Sequence, residues 1–328
     1  MELRDKFGRK ISYLRLGVTD RCNLRCQYCM PAHGIEIVDR KELLTYKEMY
    51  RIVRVLSELG VNKVRLTGGE PFVRKDFIKL LESLSFNDKL DEINITTNGA
   101  LIANHIATLE ALNINAINLS IDSLQKEKFA VITRRDVFEN VFQTFEKLDK
   151  SNLKLKLNVV VQSGFNTDEI IDFIELSKNH DISVRFIEEM PFNGKGVRQT
   201  AEKWDFNKIY QYIESHYPVI AQQQSKKSST SINYKIPTYK GSFGIIPAFS
   251  RTICTDCNRI RITATGMFKN CLFDKGVFNI RDFIRNGAHD NDLKELFIAT
   301  VHHKPENGFI AEAARDTNVS ESMSTIGG

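Results

Sequence analysis

The segment Tyr13-Leu-Arg-Leu-Gly-Val-Thr-Asp-Arg-Cys-Asn-Leu-Arg-Cys-Gln-Tyr-Cys29 decides how the rest of the chain is read. It opens as a strand over Tyr13–Gly17. Leu14 and Leu16 fall on one face and Arg15 on the other, because successive strand side chains point to opposite sides. It then delivers Cys22, Cys26 and Cys29, in C-x3-C-x2-C spacing, onto the following loop. Five further segments read as strands: Lys63–Thr67, Glu92–Thr97, Ala116–Ile121, Leu155–Val161 and Val184–Glu188. Amphipathic helices separate them. Thr45 and Glu48 form a capping box ahead of Tyr46, Met49, Val53 and Leu56, and Gly60 ends that run. Asn166 is expected to cap the helix bearing Ile170, Phe173 and Ile174, and Asp205–Tyr217 to form the last helix. Strand–helix units in series predict an α/β fold with a parallel sheet, doubly wound or curled into a partial barrel.

The two faces of these strands differ in kind. Each has an apolar side suited to helices, while Arg15, Lys63, Arg65, Lys156 and Arg185 point the other way. Parallel strands covered on both faces usually read as near-continuous apolar runs, and a closed eight-stranded barrel fills its middle with branched apolar residues. Buried charges without counter-charges are too costly to keep. An incomplete barrel whose open bore holds a multiply anionic ligand satisfies both constraints. A half-exposed antiparallel sheet with a wet polar face is the competing expectation, and the intervening helices argue against it. The carboxyl ends of the strands carry the cysteine loop, then Gly68-Gly-Glu-Pro71, Thr97-Asn-Gly99, Ser120-Ile-Asp122, Gln162 and Glu188-Glu-Met190. Barrel-type enzymes work at that rim.

Beyond residue 217 the pattern changes, which divides the chain into 1–217 and 218–328. Ala221–Ser231 is polar and low in complexity, a surface loop. Ile232–Phe249 and Arg259–Phe273 read as short strands with Gly and Pro turns, giving an α+β region. A helix near Ile280–Asn286 and a poorly patterned tail follow. A second triplet, Cys254-x2-Cys257-x13-Cys271, completes the chain's six cysteines. Clustered thiols in a reducing compartment suggest metal or redox chemistry. Three thiolates suit a tetrahedral zinc with a fourth ligand, or three corners of a four-iron cluster that leave one iron open. At the second triplet His289, His302 or His303 could complete a zinc site, whereas Cys257-Asn-Arg-Ile-Arg261 sets two cations beside it.

Composition excludes several classes. The 328 residues are 42% hydrophobic and 27% charged, ordinary for one large or two modest globular domains. No apolar run approaches a membrane span. Met1–Lys10 carries six charges and no signal-peptide core, so a cytoplasmic protein is expected. The net charge of +5 is too mild for a polyanion coat, and no aromatic platforms interleave with a basic stripe, so nucleic acid is not an expected partner.

Tyr28 beside the last cysteine of the first loop, and Gly68-Gly-Glu-Pro71 after the second strand, make the three-cysteine loop resemble that of the radical S-adenosylmethionine (SAM) superfamily. The resemblance implies a [4Fe–4S] cluster on Cys22, Cys26 and Cys29 whose free iron binds SAM and cleaves it to a 5′-deoxyadenosyl radical. Gly68, Gly69 and Glu70 would then lie along the methionine moiety. From Phe7-Gly8-Arg9 to Gly327-Gly328 the chain is similar to the GTP 3′,8-cyclases that begin molybdenum-cofactor biosynthesis. The marks are Val18-Thr-Asp-Arg-Cys-Asn23, Thr96-Thr-Asn-Gly99, Arg185-Phe-Ile-Glu188, Cys254-x2-Cys-x-Arg-x-Arg261 and Cys271-Leu-Phe273.

Such enzymes convert GTP to (8S)-3′,8-cyclo-7,8-dihydroguanosine 5′-triphosphate. The radical abstracts hydrogen from ribose C3′, and the carbon radical attacks guanine C8. The likeness implies a second [4Fe–4S] cluster on Cys254, Cys257 and Cys271 that holds the guanine. It implies SAM contacts at Tyr28, Gly69, Ser120 and Met190. GTP contacts are implied at Arg15, Lys63, Arg65, Thr96, Lys156, Arg185, Arg259, Ile260 and Arg261. Arg15 and the tail glycines Gly327 and Gly328 are implied in catalysis. A homodimer, an unidentified electron donor and a functional link to cyclic pyranopterin monophosphate synthase complete the implied partners. Two departures stand out: Ile132-Thr-Arg-Arg-Asp136 lacks a glycine often found there, and Glu321-Ser322 replace an arginine often found ahead of the Met. The rival radical SAM reading, a peptide-modifying maturase, usually needs more C-terminal cysteines. A zinc-bearing nucleic-acid module would hold zinc and tolerate air.

Overall fold

In a computed structural model, which describes residues 2–190, 192, 203–224, 228–315 and 321–327, the strands are β1 Tyr13–Thr19, β2 Lys63–Gly68, β3 Glu92–Thr97, β4 Ala116–Ser120, β5 Lys154–Val161, β6 Ser183–Glu188, β7 Ala221–Gln222, β8 Ile232–Lys235, β9 Ser242–Ile246, β10 Arg259–Ile262, β11 Met267–Lys269 and β12 Phe278–Asn279. The helices are α1 Tyr46–Glu58, α2 Phe77–Ser85, α3 Ile106–Ala111, α4 Lys126–Thr133, α5 Phe138–Asp149, α6 Ile170–Asn179, α7 Phe206–Glu214, α8 Ile280–Arg285, α9 Asp290–His302, α10 Gly308–Ala313 and α11 Met323–Ile326.

All the strands join one sheet in the order β12-β11-β10-β1-β2-β3-β4-β5-β6-β9-β8-β7. The expected six strands are there, and β1 through β6 pair in parallel. The region beyond residue 217 does more than stand beside them. β10 adds in parallel to β1, and β9 adds in parallel to β6. The incomplete barrel is thereby lengthened at both margins, each finished by an antiparallel hairpin. The physical reason lies in the alternation of these late strands. Ile260 and Ile262 of β10, and Phe243 and Ile245 of β9, are at most 1% exposed and join the apolar layer under the helices.

That layer is built as the alternation requires. Leu14, Leu16, Val64, Leu66, Ile95, Leu119 and Phe186 are buried against helices, each side chain stabilising the fold by roughly 1.5–3 kcal/mol. Thr45 caps α1 as expected: its Oγ1 accepts the Glu48 N–H at 3.2 Å and the Glu48 carboxylate accepts the Thr45 N–H at 2.6 Å. Asn166 does something else. It caps no helix with its side chain. Instead its amide donates to the carbonyls of Asp122 and Val160, and its Oδ1 accepts the Gln162 N–H at 2.8 Å, tying the end of β5 to the loop after β4. The tail is more ordered than its pattern suggested, since α9 buries Leu293, Phe297 and Val301 at helical spacing. Among the described residues no helix is long and apolar enough to cross a membrane.

Candidate active site in the bore of the sheet

Both cysteine triplets line one cavity, together with Arg15, Arg65, Arg259 and Arg261. Register explains the cations. Arg15 of β1 lies between Arg65 of β2 and Arg261 of β10, and Asn158 of β5 lies beside Arg185 of β6. Arg261, Arg15 and Arg65 therefore stack in adjacent strands without intervening carboxylates, and Arg185 stands apart on β6, outside the cavity lining. Lys63 has its own partner, Glu92, at 2.5 Å. The Nε atoms of Arg15, Arg65 and Arg185, the Thr96 hydroxyl and the Asn158 side-chain oxygen are buried without a hydrogen-bond partner. Buried polar atoms are normally satisfied. The orphaned Nε–H groups and the Thr96 hydroxyl are donors that a polyanionic ligand would complete, while the Asn158 oxygen calls for a donor on the ligand.

Burial and the neighbouring charges of Arg185, Arg65 and Lys63 draw the Lys156 ammonium down to about 7. Burial likewise lowers Arg15 to about 10.

The cysteine loop after β1 is fixed from three sides. Gly69 and Glu70 donate their N–H groups to the Thr19 and Arg21 carbonyls, both at 2.8 Å. A Cβ on Gly69 would sit 2.1 Å from the Arg21 carbonyl oxygen, and one on Gly68 2.3 Å from that of Thr19. These glycines are thus required by the cysteine loop's own backbone. From the second side comes Arg134, within residues 132–136, which lack the expected glycine. It adopts φ +56° at the end of α4, and its guanidinium bonds the Arg25 and Met30 carbonyls at 2.9 and 3.0 Å. A left-handed non-glycine residue costs roughly 1–2 kcal/mol, here set against two hydrogen bonds to the loop. From the third side Ser322 donates to the Cys29 carbonyl at 2.7 Å.

Glu70 is a hub beneath this loop. Its carboxylate accepts from the Thr97 hydroxyl at 2.8 Å and the Asn98 N–H at 2.7 Å, and burial still raises it to about 7. Asn98 in turn reaches Cys22 Sγ at 3.7 Å.

The first triplet and Cys257 of the second sit in opposite electrostatic surroundings, while burial raises Cys271 as it does the first triplet. Burial pushes the Cys22 thiol up to about 11 and Cys29 to about 12, and drives Cys26 well above its ordinary value. The carboxylates of Glu70 and Asp122 add to this. Thiolates there require a cation among them, which a metal centre provides. At Cys257 burial acts the same way, but the charges of Lys304 and Arg259 outweigh it and lower the thiol to about 6. Lys304, 2% exposed, is placed by bonds to the Arg259 and Asn270 carbonyls. None of the histidines weighed as zinc ligands, His289, His302 and His303, lines the cavity with the second triplet; the His289 N–H donates to Asp292, and the His303 ring bonds the Ala299 carbonyl.

Other sequence-derived residues fall as follows. Tyr28, Gly69, Ser120, Met190 and Thr96 line the cavity. The Tyr28 hydroxyl is already committed to Asp122 at 2.8 Å. Arg259 and Arg261 line it too, and Arg261 donates to the Gly327 carbonyl, which brings the tail into the bore. Ile260 does not face it. Strand alternation sends its side chain, 0% exposed, into the apolar layer, so only its backbone is available to a ligand. Gly328 lies outside the described residues. Sequence reasoning missed Tyr13, two positions before Arg15 and so on the same face, although strand periodicity carries the signal. It also missed Lys304, which no local pattern announces.

Comparison with known proteins gives the class first. Residues 16–177 match the family model of the radical SAM superfamily, and residues 182–310 that of Molybdenum Cofactor Synthesis C. The crystal structure of Streptococcus suis SuiB aligns with a TM-score of 0.63 and 16% identity over 94% of this chain and 70% of that one. SuiB bound to S-adenosylmethionine aligns equally, at 17% identity over 94% of this chain and 69% of that one. This likeness concerns the fold. In sequence the chain is 40% identical to a GTP 3′,8-cyclase of Syntrophomonas wolfei over 99% of both chains. It is 37% identical to one of Desulforamulus reducens, again over 99% of both. It is also 39% identical to molybdenum cofactor biosynthesis protein 1 of Dictyostelium discoideum over 96% of this chain, spanning 51% of that relative. The chain belongs to the GTP 3′,8-cyclase family of radical SAM enzymes.

Proposed function

We propose that this chain is a radical SAM GTP 3′,8-cyclase catalysing the first step of molybdenum-cofactor biosynthesis. The observation that carries this reading is the joint lining of one cavity by two thiol triplets and a bank of guanidiniums with orphaned nitrogens. Cys22, Cys26 and Cys29 would hold the cluster that takes SAM, and Cys254, Cys257 and Cys271 a second cluster beside Arg259 and Arg261. Bound there, the reduced cluster and SAM supply hydrogen abstraction by a carbon radical. The chain's own residues do the rest.

Arg15, Arg65, Lys156 and Arg185 bind and orient the triphosphate, each charge-assisted bond contributing about 1.5–3 kcal/mol. Lys63 supports them from its pair with Glu92. Tyr28, Gly69, Ser120 and Met190 shape the SAM side of the cavity. Arg261 holds the Gly327 carbonyl, so the docked tail narrows the bore and excludes water from the reacting carbon. In this reading residues 1–217 generate the radical and 218–328 present the purine. The enzyme works in the cytoplasm as a homodimer, takes its electron from an unidentified donor and passes its product to cyclic pyranopterin monophosphate synthase.

Anaerobic reconstitution with iron and sulfide, followed by metal counting and product analysis, tests the proposal. About eight irons per chain, from two four-iron clusters, and SAM cleavage coupled to GTP cyclisation are expected. Zinc in place of iron, or about four irons with guanine left intact, would overturn it.

Lys156 adds a pH signature. Its ammonium is lowered to about 7 in the free protein, and a bound triphosphate favours the charged form. GTP affinity should therefore fall as pH rises above about 7, by up to roughly tenfold per unit, with net proton uptake on binding. Calorimetry in buffers of different ionisation enthalpy measures the uptake. Lys156→Arg, which cannot lose its charge, should flatten the profile between pH ~7 and ~8.

A further inference from the structure

Tyr13 opens β1 on the inward face, with Lys63 of β2 and Arg259 of β10 as its register neighbours. Its ring lies 5.1 Å from the Lys63 ammonium, 5.6 Å from the Arg65 guanidinium and 5.9 Å from that of Arg15. The residue is 6% exposed, and its hydroxyl is buried with no hydrogen-bond partner. The Arg15 guanidinium approaches that hydroxyl without forming a well-made hydrogen bond, and the phenol stands among cations that a polyanion would engage. We propose that Tyr13 positions the substrate's phosphate chain, its ring holding Arg15, Lys63 and Arg65 in place and its hydroxyl donating a hydrogen bond to a phosphate oxygen. This rests on the reading of the substrate as a nucleoside triphosphate.

The charges facing the phenol support the assignment. They come from Arg15 on its own strand, Lys63 and Arg65 on β2, Arg261 on β10 and Arg185 on β6, while Arg259 is its register neighbour and Glu92 of β3 acts on Arg65 as the acidic member. Burial opposes ionisation of the phenol, but Arg65, Arg15 and Lys63 outweigh it and bring the group to about 8. An arriving phosphate reverses that balance. The phenol then keeps its proton and points it at the ligand, as a hydroxyl donor should. A tyrosine remote from the bound phosphate would give no such response.

Tyr13→Phe in the reconstituted holoenzyme is the direct test, with GTP, GDP, GMP and inorganic triphosphate as probes. GTP should bind about tenfold or more weakly, seen as a raised KM with kcat little changed, while iron content and SAM binding stay parental. Among the shorter nucleotides the loss should shrink at the one that lacks the contacted phosphate. In the parent protein above pH ~8, triphosphate or GTP should remove tyrosinate absorption, and the Phe variant should lack that change. Parental GTP affinity in a properly loaded Phe variant, or a tyrosinate signal indifferent to triphosphate, would overturn the assignment. Should the Phe variant fail to assemble, the spectral titration of the parent decides alone. Inorganic triphosphate separates the two readings: if it perturbs Tyr13 while GTP does not bind, the phosphate role stands and the nucleotide reading falls.

Discussion

Replacing Gly69 with alanine should empty the first cysteine triplet while leaving the second loaded, so that about four of about eight irons are lost and SAM cleavage stops. The added methyl would meet the Arg21 carbonyl oxygen at 2.1 Å, its carbon at 2.5 Å and the Asp20 oxygen at 3.0 Å. All three are backbone atoms, and the adjoining N–H groups are bonded to the same loop. Overpacking costs about 1–3 kcal/mol where side chains can yield. Here only the loop that carries Cys22, Cys26 and Cys29 can move, and moving it separates the thiols. The apolar layer does not depend on that loop, so thermal unfolding of the metal-free protein should change little. Iron counting and a SAM-cleavage assay without GTP check this. A Gly69→Ala protein with full iron and parental cleavage would show that the loop has slack that its contacts do not suggest.

The second large effect belongs to Glu321. Its carboxylate accepts from Lys269 Nζ through both oxygens at 3.1 Å and from Arg315 at 2.9 Å. The Lys269 side chain is 0% exposed and that of Arg315 7%. Taking one partner from a buried pair typically costs about 3–5 kcal/mol, because the remaining charge is left without compensation. Glu321→Ala removes the carboxylate from both cations, leaving Arg315 its bonds to the Phe273 and Asp274 carbonyls and Lys269 the more distant charge of Asp274. The cheapest relief is loosening of residues 321–327, which are also held by Ser322 on the Cys29 carbonyl, Met323 N–H on the Phe192 carbonyl, Arg261 on Gly327 and the burial of Ile326.

Hydrogen exchange in that segment should therefore accelerate by roughly a hundredfold or more, with the sheet unaffected. Cyclisation should fall steeply while SAM cleavage persists. Glu321→Gln, still an acceptor, should be intermediate. Unchanged exchange in the alanine variant would mean that the ion pair does not hold the tail. The same contacts account for a sequence departure: glutamate at 321 is matched to a buried lysine at 269.

Much of the fold was legible because strand alternation and helix capping are local. Leu14 and Leu16 against Arg15, or Thr45 with Glu48, report their surroundings within a few residues. The two marginal parallel strands were not legible as such. β9 and β10 are short, and which edge a short strand joins is decided by long-range burial of Phe243, Ile245, Ile260 and Ile262. Asn166 misled for a related reason, since its partners lie on β5 and in the loop after β4. In the bore, periodicity identified the face of Arg15, Arg65 and Lys156, and extending the same count by one step reaches Tyr13. The same rule, applied to β10, sets Ile260 apart from Arg259 and Arg261. Arg134 and Lys304 act on loops far away in sequence, and no window around them contains that information.

The addition of β10 beside β1 and of β9 beside β6 has a consequence for how this molecule can be divided. A polypeptide stopped at residue 217 would lose the partners of its first and sixth strands together. Two bare ladders, each facing outward, are ready templates for intermolecular pairing. Because the later segment grips both flanks like the jaws of a clamp, the division of labour between the halves is chemical, and the shared ladder makes them mechanically inseparable.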